Sequence, residues 1–381
     1  FHLFGRRNFQ HSDRTVVGYH SGALAFGTFR AGNSGSISNF MRSVNLVVVH
    51  YRTLQDTLEC LQSALALEIS PNTGRRLIVV ENASQDDPWE KLSEWRKSRG
   101  SLWSREIPQG DLPAGVAEGS SHRLPDGGWE VVLLRAKQNR GYAAGANLGL
   151  RFALSDATAS DFWVLNSDLV LDSQSMAYLL RASDGRPPAI YGSTLVYFDN
   201  PSVIQVAGGA VYVPALGRSR HFGKKHRIDS LALEPPAFDY IVGAALFFPR
   251  DVLTEIGYLP EEFFIYFEET EWCARARSRG IDLVWVPESR MVHKEGRSTG
   301  AGSRFRSMSD LSFRYVVRNS LLFTESRHPF WLSTVLAFNF YECLRHCVAG
   351  DFGKLHVLRD AVREYLALRP KWTRGVPAIG D

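Results

Sequence analysis

The chain has 381 residues, 44% hydrophobic and 22% charged, the balance of a folded globular protein with enough length for a sizeable core or for two domains. Its formal charge of +4 is concentrated in residues 1–43, where five arginines (6, 7, 14, 30 and 42) meet one acid, Asp13; the remainder is near neutral, so bulk charge gives a nucleic-acid surface no support. No run of about twenty apolar residues exists, so no spanning helix is expected, and four cysteines (60, 273, 343 and 347) without paired spacing point to reduced thiols and a cytoplasmic location.

Residues 1–43 are rich in Gly, Ser, Arg and Asn and read as a flexible basic extension. Asn45–Tyr51 (NLVVVHY) is a continuous apolar run that predicts a buried parallel strand. Leu54, Leu58, Leu61 and Leu65 follow it at helical spacing. LIVVEN, Leu77–Asn82, predicts a second strand ending in Glu81 and Asn82, with a helix starting near Trp89. Such a strand, helix, strand unit with polar strand ends opens a nucleotide-binding half of an α/β sheet. Residues 100–128 are crowded with Gly, Ser and Pro and predict an inserted surface loop. Glu130–Leu134 is the third strand. Asn139–Leu154 then turns through Gly141 into a helix whose small residues suit either tight packing or approach of its amino end to a phosphate.

DFWVLNSDLVLD, Asp161–Asp172, carries the central strand, Phe162–Leu165, which breaks into Asn166, Ser167 and Asp168. A carboxylate delivered there lies at the carboxyl edge of the sheet and can hold a divalent cation against a diphosphate; an Asx turn is the plain alternative. A helix over Ser173–Ala182 and a strand-rich region from Ile190 to Phe248 come next. In Phe263–Gly280 an aromatic wall leads into Glu268, Glu269 and Glu271 and then a helix with Arg275, Arg277 and Arg279. The acids suit catalysis or merely the first turn of a helix, and the arginines suit a solvated face or phosphate contact. IDLVWVP predicts a late strand with His293 just beyond it. Residues 301–381 predict helices whose Phe, Trp, Leu and Arg suit peripheral contact with the inner face of a membrane, or equally a helical cap. Cys343, His346 and Cys347 form only a partial metal-ligand set.

Acids at two strand ends, a histidine after a late strand and paired carboxylates beside an aromatic wall are the parts needed for displacement at a sugar carbon bearing a nucleotide diphosphate. The leaving diphosphate needs a cation, with Asp168 and His293 as ligands, and the acceptor hydroxyl needs a base, Glu269 or Glu268.

In the order VVVHYR, VVENASQDD, NRGYAAGANLG, LNSD, GAALFFPRDVLTEIG, FFIYFEETEWCARA and VHKEGRS, the chain resembles the family 2 glycosyltransferases, above all their bacterial rhamnosyltransferase-like branch. The likeness spans about residues 44–320 and includes YVVRNSLLF. It implies an α/β GT-A fold, a Rossmann-like mixed sheet flanked by helices, over residues 44–300, with a helical extension over 301–381. It also implies a nucleotide-sugar donor (dTDP-rhamnose-like or a UDP-sugar), a Mg or Mn ion, and inverting transfer of a single sugar to a glycan or lipid-linked acceptor in cell-surface polysaccharide synthesis. Carried over by position, Tyr51, Glu81, Asn82, Arg140, Gly141, Asn166 and Asp168 would contact the donor, Asp168 and His293 the metal, and Glu269 would be the base, with Glu268 beside it. Arg52 replaces the family's usual Asn, and Glu81, Glu269 and Glu271 replace aspartates. These longer acids motivate the alternative of a catalytically weak or silent donor- or glycan-binding scaffold. Donor and acceptor choice would lie with segments such as 100–128 and 200–236. A sugar nucleotidyltransferase is disfavoured, because no early Gly-rich loop carries an Arg and a Lys.

Overall fold

Seven of the eight residues of Ser43–His50 (β1) are buried, because the sheet it belongs to is covered on both faces. The structure, a computed structural model, describes residues 42–125, 128–230, 234–294 and 308–372, with side chains to 369. After β1 come Leu54–Leu65 (α1), Gly74–Glu81 (β2), Trp89–Lys97 (α2), Trp103–Glu106 (β3), Val116–Arg123 (β4), Trp129–Ala136 (β5) and Tyr142–Leu154 (α3). The middle of the chain forms Asp161–Asn166 (β6), Leu169–Leu171 (β7), Ser175–Ser183 (α4), Ala189–Tyr197 (β8), Ile204–Ala207 (β9), Gly209–Val213 (β10), Arg218–His221 (β11), Tyr240–Ile241 (β12) and Ala245–Pro249 (β13). Arg250–Ile256 (α5), Glu268–Ser278 (α6), Asp282–His293 (β14), Asp310–Arg327 (α7), Leu332–Val348 (α8) and Gly353–Trp372 (α9) complete it. Of the basic extension, residues 1–41 lie outside the described residues; Arg42 is tied to Asp161 by two 2.8 Å bonds, directly beside β1.

An eleven-stranded mixed sheet runs β3-β4-β5-β2-β1-β6-β13-β8-β14-β7, with β9 paired to β8. The α/β class expected from the sequence is therefore the observed one. β5, β2, β1 and β6 are parallel, and the order reverses between β1 and β6, which opens a crevice at their carboxyl ends. Period-two alternation assigns the strand residues to two cores. Val47, Val49, Ile78, Val80, Val132 and Leu134 face α3, α5 and α6, whereas Leu46, Val48, Leu77, Val79, Val131 and Leu133 face α1, α2 and α4. The small residues of α3 serve packing: a Cβ at Gly145 would stand 2.8 Å from Val49, and one at Gly149 2.4 Å from Val47.

Residues 100–128 are not the loop that their composition predicts. β3 and β4 form an antiparallel extension of the sheet on β5. Their sequences, WSRE and VAEGSSHR, hide this because β3 is an exposed edge strand without apolar alternation. Residues 200–236 likewise contain β9, β10 and β11, and β14 runs six residues past the predicted strand so that His293 ends it.

The C-terminal helices have their own core of Phe313, Val317, Leu321, Val335, Cys343 and Tyr365, to which Phe263 and Tyr212 of the preceding region contribute. Glu271 joins the two regions. Its buried carboxylate accepts from Arg275 at 2.8 Å and from Arg327 of α7 at 2.7 Å. Arg275 also donates to Ile256 O and Tyr258 O, Arg277 pairs with Asp239, and only Arg279 forms the plain solvated surface considered for this helix. Changing Glu271 to Ala leaves two guanidiniums facing each other without their anion. A stability loss of about 3 kcal/mol is expected in urea unfolding, the usual scale for breaking a buried pair.

Candidate active site

Strand register brings the predicted donor residues to one edge. His50 is opposite Glu81, and Val49 is opposite Asn166, so Tyr51, Glu81–Asn82 and Asn166–Asp168 leave neighbouring parallel strands side by side. Glu81 is buried and accepts from Ser84 N at 2.6 Å, which shapes the turn after β2. Asn82 donates to Gly141 O at 3.1 Å and so fastens β2 to the start of α3. Tyr51 lies half-buried under the Arg52 guanidinium, 5.1 Å from the ring centre. Arg140 is the exception in this group: its side chain is mostly exposed and pairs with Glu261 at 3.1 Å.

Gly141 has φ of 100°, and a Cβ there would come within 2.2 Å of Phe264 O. No side chain fits. The next amide, Tyr142 N, donates to that same carbonyl at 2.6 Å, so the first amide of α3 is taken by the aromatic wall.

Asp168 and His293, 125 positions apart, meet. His293 Nε2 lies 3.3 Å from Asp168 Oδ1 because β7 and β14 pair antiparallel, with His293 opposite Leu169. Both side chains are largely buried. Burial works against charge on Asp168, yet the hydrogen bond and charge of His293, and the charge of Lys294, hold it below the ordinary carboxylate range. Lys294 is itself fixed by Asp56 at 2.7 Å and Glu59 at 2.5 Å, and its amide donates to Asp168 O. The other residues of the VHKEGRS tract, 295–298, lie outside the described residues.

A carboxylate oxygen and an imidazole nitrogen converging in this way fit a divalent cation that takes its remaining ligands from diphosphate oxygens and water. Among the described residues, no group of three or more His, Cys, Asp or Glu side chains is placed to hold a metal, the Cys343, His346 and Cys347 set included.

The glutamates reach the same neighbourhood through Gly243. Asn166 N donates to Ala244 O at 2.9 Å, Tyr142 OH donates to Gly243 O at 3.4 Å, and a Cβ on Gly243 would stand 3.2 Å from Glu269 Cβ. The missing side chain is what admits Glu269 beside the end of β6. Its Oε2, like Glu268 Oε2, is buried without a hydrogen-bond partner. Burial raises Glu269 to about 7, against the backbone hydrogen bonds that lower it. Burial, and then the charge of Glu269, push Glu268 well above the ordinary carboxylate range. Two neighbouring buried carboxyls resist being charged together, and Glu269, raised to about neutrality, suits a base. His50 Nε2, Thr53 Oγ1 and Asn82 Oδ1 are also buried and unpartnered along the same strand ends, a polar lining that a polar ligand would satisfy.

Sequence reasoning assigned no role to several residues that build this site. Phe264, Tyr266 and Phe267 all adopt left-handed backbone, with φ of 63°, 67° and 73°. Asn319 of α7 holds them, donating to Phe263 O, Ile265 O and Tyr266 O at 2.8–2.9 Å, and Arg318 donates to Glu262 O and Phe263 O. The signal was the RN of YVVRNSLLF, a polar pair inside an apolar helix. Gly243 and Gln205 carried no comparable signal.

No protein-family model matches the chain. It is 25% identical over 256 residues to the low-salt glycan biosynthesis hexosyltransferase Agl10 of Haloferax volcanii, covering 61% of this chain and 76% of that protein. It is 24% identical over 208 residues to the dTDP-rhamnosyl transferase RfbF of Shigella flexneri, covering 54% and 67%. Among solved structures it matches the mannosyltransferase PcManGT from Pyrobaculum calidifontis, in complex with GDP-Man and Mn2+, with TM-score 0.47, 14% identity and coverage of 87% and 84%. The resemblance read from the motifs is thus borne out: the chain is a sequence relative of hexosyl- and rhamnosyltransferases, with the mixed α/β sheet expected of a GT-A glycosyltransferase.

Proposed function

We propose that the protein transfers one sugar from a nucleotide-diphosphate donor to an acceptor hydroxyl, with inversion and with a divalent cation. One observation carries this reading: Asp168 meets His293 two residues after Asn166, whose amide bonds Ala244 O, and Glu269, with its unpartnered oxygen, packs against the adjacent Gly243. Tyr51, Glu81 and Asn82 hold the nucleoside, and Asn166 and Asp168 take the phosphate side. Mg or Mn, held by Asp168 and His293, would neutralise the leaving diphosphate. Glu269 takes the acceptor hydroxyl's proton as that oxygen bonds to the anomeric carbon and the carbon's bond to the diphosphate oxygen breaks on the opposite face. A relative named as a dTDP-rhamnosyl transferase favours a dTDP-rhamnose-like donor, and one named for glycan biosynthesis favours a glycan acceptor. The test is nucleotide release from UDP-, dTDP- and GDP-sugars with Mg or Mn. Absence of both release and binding across the panel sinks the reading.

The C-terminal region supports a second element of the proposal, contact with an anionic membrane surface. The outer face of α8 exposes Leu336, Phe340, Leu344 and Val348 at every fourth residue, continued by Phe330 at one end and Phe352 at the other. Arg345 of α8 is exposed and paired with Glu342, and Arg359 and Arg363 are exposed on α9, cations that suit acidic lipid. No described helix is long and apolar enough to cross a membrane, which makes in-plane binding the fitting mode. The chain should float with vesicles containing phosphatidylglycerol, and Phe340→Asp with Leu344→Asp should abolish flotation. A concentration-dependent dimer that does not float would instead assign the stripe to a second copy.

A further inference from the structure

We infer that Gln205 is a positioning residue for the cation site, holding His293 in the one tautomer that can serve as a ligand. This rests on the reading of Asp168 and His293 as that site. Gln205 belongs to β9, a strand in which every residue is buried, and a primary amide there must find a polar partner. Its Oε1 lies 2.7 Å from His293 Nδ1. The contact is built by an irregularity. β8 and β9 pair Leu195 with Val206 and then Val196 with Ile204, so Gln205 is the extra residue of a β-bulge. A bulge re-aims the side chain it carries, and this one reaches across to the last residue of β14, which pairs with β8 at Tyr197.

The chemistry follows from the acceptor. An amide oxygen at hydrogen-bond distance requires a proton on Nδ1, so the neutral imidazole directs its Nε2 lone pair toward Asp168 Oδ1, 3.3 Å away, whereas the imidazolium bonds that carboxylate through Nε2–H. In the neutral form two electron-pair donors face each other, and a cation can enter between them. Were Nδ1 unheld, the imidazole could place its proton on Nε2 and satisfy Asp168 directly, closing the site. Gln205 thus favours the open state over a self-satisfied pair, as outer partners of ligating histidines do.

The test uses the full chain and three measurements. Calorimetric titration with Mn2+ and inorganic pyrophosphate supplies the diphosphate oxygens whatever the donor base. Wild type should bind, Gln205→Leu should bind about 10–100-fold more weakly, and Gln205→Glu, which keeps an acceptor, should recover binding. Ring 15N shifts of His293 should report Nδ1–H in wild type and a shift toward Nε2–H in Gln205→Leu, with thermal unfolding establishing that the variants are folded. Wild-type affinity and an unchanged tautomer in folded Gln205→Leu would overturn the inference alone. Failure of wild type to bind Mn2+ with pyrophosphate would overturn the cation site and this inference together.

Discussion

Glu269→Gln is expected to lower turnover by about 10²–10⁴-fold, the range that a positioned general base contributes, while donor binding stays near the wild-type value. Glutamine keeps the length and the acceptor oxygen that the local backbone amides bond to, and loses only the ability to take a proton. A silent scaffold would show no such split between binding and turnover, so the variant decides between the two readings prompted by the longer acids. The wild-type rate should fall about tenfold per pH unit below pH 7, as Glu269 protonates, and the residual rate of the variant should lack that limb. Stability should move in a matched sense. Because burial raises this group from its ordinary 4.5 to about 7, its contribution to stability is present below pH 4.5, declines as pH rises through 7, and is absent above. The melting temperatures of wild type and Glu269→Gln should therefore be similar at pH 4 and diverge in favour of the variant at pH 8.

Asp168→Asn is expected to reduce kcat/KM by at least about 10²-fold, more than loss of an outer partner of a metal ligand costs. The exchange is nearly isosteric. The main-chain bonds that place this turn, Asn166 N to Ala244 O and Lys294 N to Asp168 O, do not involve the carboxylate, so the fold should be kept, with a melting temperature lowered at neutral pH by loss of the charge that His293 and Lys294 hold. What disappears is a buried negative charge facing His293. Wild type stripped with EDTA should fall to a similar rate and recover on adding Mn2+, whereas the variant should respond weakly to added metal. A variant that retains full metal-dependent activity would remove Asp168 from the cation site.

The parallel centre of the sheet was legible because its strands are buried on both faces and written as unbroken Val, Ile and Leu runs ending in polar residues. β1, β2, β5 and β6 all follow that pattern. Asp168 and His293 could be named because each stood at the end of such a run. Their contact is set by the pairing of β7 with β14, which no local pattern records. β3 and β4 were missed because edge strands need no apolar alternation. Gly243 and the Gln205 bulge were missed because their significance lies in what packs against them. The bond from the first amide of α3 to Phe264 O joins segments over a hundred residues apart, which no local pattern records.

The grip of Asn319 on Phe263, Ile265 and Tyr266 has a mechanical consequence. The aromatic segment is bent in a sense that L-residues resist, and its anchor is a helix residue 53–56 positions further along the chain. Lifting α7 would let that bend relax and carry Glu268 and Glu269 with it, disarming proton abstraction with nothing changed in the cleft.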